Sequence, residues 1–140
     1  MMNITIIALG KLKEKYLRDA VDEYAKRISA YGKLDIIELN PVKLSDNPSQ
    51  NEITSALSKE ADEIKKKIPN GSYIFTLCIE GKEKSSEAFA KAINDAALNG
   101  KSHITFIIGS SYGLSPEIKN LSDFKLSFSP MTFPHQLMRV

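Results

Sequence analysis

The stretch HITFIIGSSYGLSPE, residues 103–117, decides the architecture. Residues 103–108 are dominated by β-branched and aromatic side chains, the pattern of a short strand buried on both faces. Gly109-Ser110-Ser111-Tyr112-Gly113 follows as a glycine-bounded turn. Ser115-Pro116-Glu117 then reads as a helix start, with serine as the cap and proline at the first helical position. A buried strand that passes through a turn into a helix is the repeating unit of a parallel sheet with crossover helices.

The same alternation extends outward from it. On the C-terminal side the helix from Ser115 can only be short, because residues 124–129 (FKLSFS) alternate apolar and polar as a fifth strand. On the N-terminal side, residues 72–79 (SYIFTLCI) read as a central strand broken by Gly81. Ser85 or Ser86 caps the helix that follows, whose inner face is Phe89, Ala92, Ile93, Ala96 and Ala97. Residues 3–9 (NITIIAL) and 34–39 (LDIIEL) give two more strands. Between them Leu17, Ala20, Val21, Tyr24 and Ile28 recur at helical spacing, and Gly32 stops that helix. Residues 41–52 are rich in Pro, Ser, Asn and Asp and read as a loop; Ile53, Leu57, Ala61, Ile64 and Ile68 then mark another helix. Five strands separated by four helices predict one α/β domain over residues 1–140, with a mostly parallel five-stranded sheet and helices on both faces.

Composition narrows the function classes. A chain of 140 residues can bury a core without disulfides. Its single cysteine, Cys78, sits in an apolar run, so a cytoplasmic, reducing setting is expected. Signal-peptide features are absent from the N-terminus, and no apolar run approaches bilayer-spanning length. The net charge of +2 neither requires nor opposes a nucleic-acid partner. The only histidines are His103 and His135, and no spacing fits a metal site. A G-x-S-x-G elbow, a P-loop and a dinucleotide fingerprint are all missing.

Ligands in open α/β sheets sit at the carboxyl ends of the strands. Three loops lie there. One carries Glu80-Gly81-Lys82, the second is Gly109–Leu114, and the third is the apolar Pro130-Met131-Thr132-Phe133-Pro134. The third suits a wall against a purine ring and a thioether. His103 reads as a packed or half-exposed residue at a strand start, while His135 stands beside the apolar loop, as a site residue or a helix cap. The bases Lys11, Lys13, Lys15 and Arg18, with Lys82 and Lys84, follow strand ends where they can edge a cleft and meet phosphates. Lys65–Lys67 reads as a solvated helix face. The last residues, Leu137, Met138 and Val140, look like the opening turn of a helix that continues, and their exposure predicts low stability.

Four segments also carry a resemblance: IIALGKLKEKY near the start, TLCIEGK after the central strand, IIGSSYGL at the turn, and LSFSPMTFPHQLMRV at the close. In order and spacing they resemble the bacterial ribosomal RNA large subunit methyltransferase H family, of the SPOUT class of α/β-knot methyltransferases. The resemblance covers essentially the whole chain. It implies an α/β-knot fold, a homodimer, and transfer of a methyl group from S-adenosylmethionine to a pseudouridine of 23S rRNA in the ribosome, giving 3-methylpseudouridine. The family's cofactor contacts fall on Leu77, on Gly109, and on Phe128, Ser129, Pro130, Met131, Thr132 and Phe133. His135 and Arg139, near the same loop, are the catalytic candidates by position: His135 to order the site or move a proton, Arg139 to bind phosphate or orient the base.

Two departures from the family pattern stand out. Gly109-Ser110 replaces a usual Gly-Gly, so Ser110 would be strained if that position needs positive φ. The family's long final helix, which completes the knot, is expected beyond Val140, so the knot helix is truncated in this chain. An inactive relative, or a non-catalytic RNA-binding α/β module built on the lysine clusters, stays open beside the enzyme reading.

Overall fold

The computed structural model describes residues 2–140. Its strands are β1 (Met2–Leu9), β2 (Gly32–Leu39), β3 (Ser72–Lys82), β4 (His103–Ile108) and β5 (Phe124–Leu126). Its helices are α1 (Lys15–Ile28), α2 (Gln50–Lys67), α3 (Ser86–Leu98) and α4 (Pro116–Leu121), and Leu137–Arg139 forms a final 3-10 turn. The strands pair in the order β2-β1-β4-β3-β5, and every pairing is parallel. The sheet is thus wholly parallel, and all five carboxyl ends meet at one edge.

Two apolar layers hold the sheet. Ile7, Leu9 and Ile107 pack with Ala61 and Ile64 of α2 and Ile118 of α4. On the opposite face Phe75, Ile104 and Leu126 pack with α3 through Ala96 and Phe89, and Leu17 and Val21 of α1 pack against Ile36. Phe75 is the centre of the α3 layer, fully buried, with ring centroids of Tyr73 and Phe106 each at 5.1 Å. Alternation along each strand sends successive side chains to the two layers, which is why β1 and β4 carry apolar side chains on both faces.

Several boundaries move from their expected places. α2 begins at Gln50, inside the expected loop, because Ser49 and Glu52 form a reciprocal capping box. α1 ends at Ile28, and Gly32 is the first residue of β2. β3 does not break at Gly81. It continues to Lys82 through an irregularity in which Leu126 pairs with both Leu77 and Lys82. A Cβ at Gly81 would lie 2.4 Å from the Lys125 carbonyl oxygen, so glycine lets β3 bend against β5. β5 is three residues shorter than expected. Ser127 N–H still donates to the Lys82 carbonyl at 3.0 Å, and the chain then leaves the sheet. The caps at Ser85 and Ser115 and the bounds of β4 are as the sequence predicts.

The strand order has one consequence for ligand binding. From β1 the chain crosses to β2 on one side, and from β4 it crosses towards β5 on the other. The loops leaving β1 and β4 therefore diverge, which opens a crevice between adjacent strands at their carboxyl ends.

Candidate active site

The end of β3, through Leu77–Glu80, and the loops after β4 and β5 converge on a cavity of about 650 Å³. Leu77, Gly109, Phe128, Ser129, Met131, Thr132 and Phe133 all line it, and Pro130 lies between two of them on the same loop. The cofactor residues expected from the sequence therefore gather at one place.

The turn after β4 is closed internally. Gly113 N–H donates to the Ser110 carbonyl at 2.8 Å, and Gly113 has φ of +82°. A Cβ on Gly109 would stand 2.4 Å from the Gly113 carbonyl oxygen. Glycine is required at 109 because the turn folds back on itself, a nearer cause than close approach of a ligand. Among the described residues no non-glycine residue has positive φ, so the strain expected at Ser110 is absent.

The third loop is shaped by serines. Ser127 Oγ donates to the Ser129 carbonyl at 3.1 Å, and Met131 N–H donates to Ser129 Oγ at 3.0 Å. This leaves Phe128 58% and Met131 72% exposed beside the cavity, facing apolar Leu77, Ile108 and Leu126. Exposing apolar rings at a cavity mouth is unfavourable unless something covers them. On the rim Lys119 donates to Glu80 at 2.5 Å, and this hydrogen bond holds the Glu80 carboxyl below the usual carboxylate range.

The two catalytic candidates part company. His135 is half-buried and lines the cavity. Arg139 does not line it. It is buried, pairs with Glu38 at the end of β2, and donates to the Gly10 carbonyl at 2.9 Å. It borders a neighbouring apolar groove of about 430 Å³, with Ile6, Phe89, Phe106, Leu137 and Val140.

The remaining candidates are dispersed. His103 packs at its strand start, with Nε2 2.7 Å from Thr5 Oγ1. Lys15 pairs with Asp19, Lys65 with Glu117 and Lys66 with Glu63, while Lys84 lies over the Phe124 ring. Among the described residues no cluster of His, Cys, Asp and Glu could hold a metal ion, and no helix is long and apolar enough to cross a membrane.

One residue the sequence reading passed over is Glu60. It is buried on α2 and accepts from Val42 N–H at 2.9 Å. Burial raises its carboxyl above the ordinary range, against the lowering effect of the Val42 hydrogen bond and the nearby Ser110 hydroxyl. The signal was available: Glu60 interrupts the apolar stripe of Ile53, Leu57, Ala61 and Ile64.

Residues 2–140 match the family model described as "Predicted SPOUT methyltransferase". The chain is 60% identical over 139 residues to the "Putative ribosomal RNA large subunit methyltransferase H" of Methanococcus maripaludis, a match that spans 99% of this chain and 87% of that protein. It is 52% identical, over the same shares of the two chains, to the ribosomal RNA large subunit methyltransferase H of Clostridium novyi. A parallel α/β sheet whose strand-end loops meet at the motif residues, matched end to end at this identity, makes the chain a SPOUT methyltransferase of the ribosomal RNA large subunit methyltransferase H family.

Proposed function

We propose that the chain transfers a methyl group from S-adenosylmethionine to N3 of a pseudouridine in 23S rRNA, as a cytoplasmic enzyme acting in a homodimer. The observation that carries this reading is the convergence of Leu77, Gly109 and the Phe128–Phe133 loop on one cavity. Its volume of about 650 Å³ is within the ordinary size range of small-molecule sites. The lining fits the cofactor's chemistry: apolar faces for a purine and a thioether, and loop backbone for its polar edge. When bound, the cofactor supplies a methyl group on a sulfonium, already a good leaving group.

The chain's own residues then have mainly positional work. Leu77, Phe128, Met131 and Phe133 cover apolar ligand surface and exclude water. The closed turn at Gly109–Gly113 fixes the opposite wall. His135, which lines the cavity, is the candidate to receive a proton from the acceptor nitrogen. Arg139 acts as a positioning residue, since Glu38 and the Gly10 carbonyl already occupy its guanidinium. The apolar groove beside Leu137 and Val140, which are 44% and 41% exposed, supports pairing of two copies. The rival reading as a lysine-based RNA module has less support, because Lys15, Lys65 and Lys66 are engaged by acidic partners.

Two measurements test the proposal. Isothermal titration with S-adenosylmethionine should give saturable heat at one site per chain. Ribosomes lacking the modification should accept tritiated methyl groups, and His135→Ala should reduce that transfer. Absence of heat, or normal transfer by the His135 variant, would count against the respective claim.

A further inference from the structure

A second cavity of about 530 Å³ lies beside the first, at the crevice between β1 and β4 where the strand order reverses. Its walls are the loop after β1, the loop after β2, and the inner face of α2. Ser110, Ser111, Tyr112 and His135 line both cavities, so this strap is the partition between them. We propose that the second cavity receives the acceptor nucleotide of an RNA strand, with Glu60 accepting a ring N–H of the base and Lys11 and Lys13 meeting its phosphates.

The inference rests on the reading of the first cavity as the methyl-donor site. Given that reading, the acceptor must approach from across a shared wall. The apolar groove shares one too, through Leu77, Ile108, Phe128, Phe133 and Met138, but its one charged lining residue, Arg139, is already paired with Glu38, whereas the second cavity offers exposed lysines and a buried carboxylate. The chemistry of its lining is that of a nucleotide site. Lys11 and Lys13 are exposed at its mouth. Arg18 donates to the carbonyls of Leu12 at 3.0 Å and Lys13 at 2.7 Å, which fixes the loop that presents both lysines. Phosphates are met by cations of this kind, at strand-end loops and without base preference. Tyr112 is 47% exposed on the partition, a ring available for a splayed-out base to stack on.

Glu60 supplies the base-reading group. A carboxylate buried on an apolar helix face is costly and needs hydrogen bonds. Val42 N–H uses one of its roughly four acceptor sites. The remaining capacity faces a cavity, and a base with a ring N–H is the complementary donor. The position also relates the two loops: Glu60 accepts from Val42 of the loop after β2 and lines the same cavity as Ser110 of the turn after β4.

A short single-stranded RNA containing 4-thiouridine is the probe, photo-crosslinked to the full chain with S-adenosylmethionine present, and adducts are mapped by mass spectrometry. The expected adducts lie on the Val42–Ser45 or Ser110–Tyr112 segments. Lys11→Ala with Lys13→Ala should weaken RNA binding about tenfold, as expected when a charge-assisted contact is lost. The slope of log affinity against log salt should flatten by about 0.7 for each phosphate contact removed. Glu60→Gln, nearly isosteric, should reduce the adducts while leaving the salt slope unchanged. Replacing Lys66 and Lys67, on the outer face of α2, should change neither. Adducts mapping outside the cavity, no adducts, or equal adducts in wild type and the Lys11/Lys13 double variant would overturn the proposal. Calorimetry with S-adenosylmethionine separates the two readings: adducts in the cavity without cofactor heat sustain this subsite and sink the donor-site reading.

Discussion

Arg139 in the last turn of the chain pairs with Glu38 at the end of β2 and also donates to the Gly10 carbonyl after β1, so one side chain ties the C-terminal segment to two strands. The Glu38 side chain is 39% exposed, which discounts the ion pair, but the Arg139 side chain is 3% exposed. Arg139→Ala should therefore cost about 1–3 kcal/mol, from lost hydrogen bonds more than from lost charge. Arg139→Lys should recover only part of this, because the forked geometry that reaches both partners is lost. Urea midpoints of the three proteins provide the check. A change under about 0.5 kcal/mol for the alanine variant would show that the tie is not stabilising.

Gly109→Ala should force the turn after β4 open, since its Cβ meets the Gly113 carbonyl. The expected cost is about 1–3 kcal/mol, with weaker S-adenosylmethionine binding by calorimetry. Ser110→Gly gives the opposite test. Ser110 is not at positive φ, so glycine there should relieve no strain and should cost a few tenths of a kcal/mol to about 1 kcal/mol through chain entropy. A stabilising Ser110→Gly would contradict the turn geometry described above.

Glu60 sets a pH dependence whose sign follows from its raised carboxyl. In the unfolded chain it titrates in the ordinary carboxylate range. Between that range and its higher folded value, the folded state binds more protons than the unfolded state, so stability falls as pH rises. The loss is complete once pH exceeds the folded value. Glu80 contributes the other way: its lowered carboxyl adds stability that is present above the ordinary range and is lost as pH falls through its folded value. Glu60→Gln should remove the falling limb and leave the acid limb. Denaturation midpoints across the pH range, wild type against variant, measure this directly.

Phe75 should be the most sensitive core position. It is fully buried, stacked on Phe106 and edge-on to Phe89 and Phe124. Phe75→Ala should cost about 3–5 kcal/mol. Phe75→Leu keeps much of the apolar volume and should cost less. Chemical denaturation of both variants checks the ranking.

Much of this architecture can be read from local pattern, and the exceptions have local causes. β4 and the serine caps are legible because each signal is short and contiguous. The start of α2 was also written locally, in Ser49-Gln50-Asn51-Glu52, but the polar composition of the loop outweighed the capping box. The path of β3 through Gly81 was not legible, since it depends on how closely the Lys125 backbone approaches. For the site, the three strand-end loops emerge from the alternation of elements. Which of them share a cavity depends on strand order, which no periodicity encodes. Arg139 shows the same limit: sequence puts it near the loop, and only the fold turns its guanidinium towards Glu38.

The strap of Ser110, Ser111, Tyr112 and His135 belongs to two cavities at once. Its free energy is therefore common property. Whatever factor a filled first cavity applies to affinity in the second must be returned unchanged when the order of filling is reversed. A substitution in this strap is an intervention at both sites together, and an affinity measured at one of them already contains information about the other.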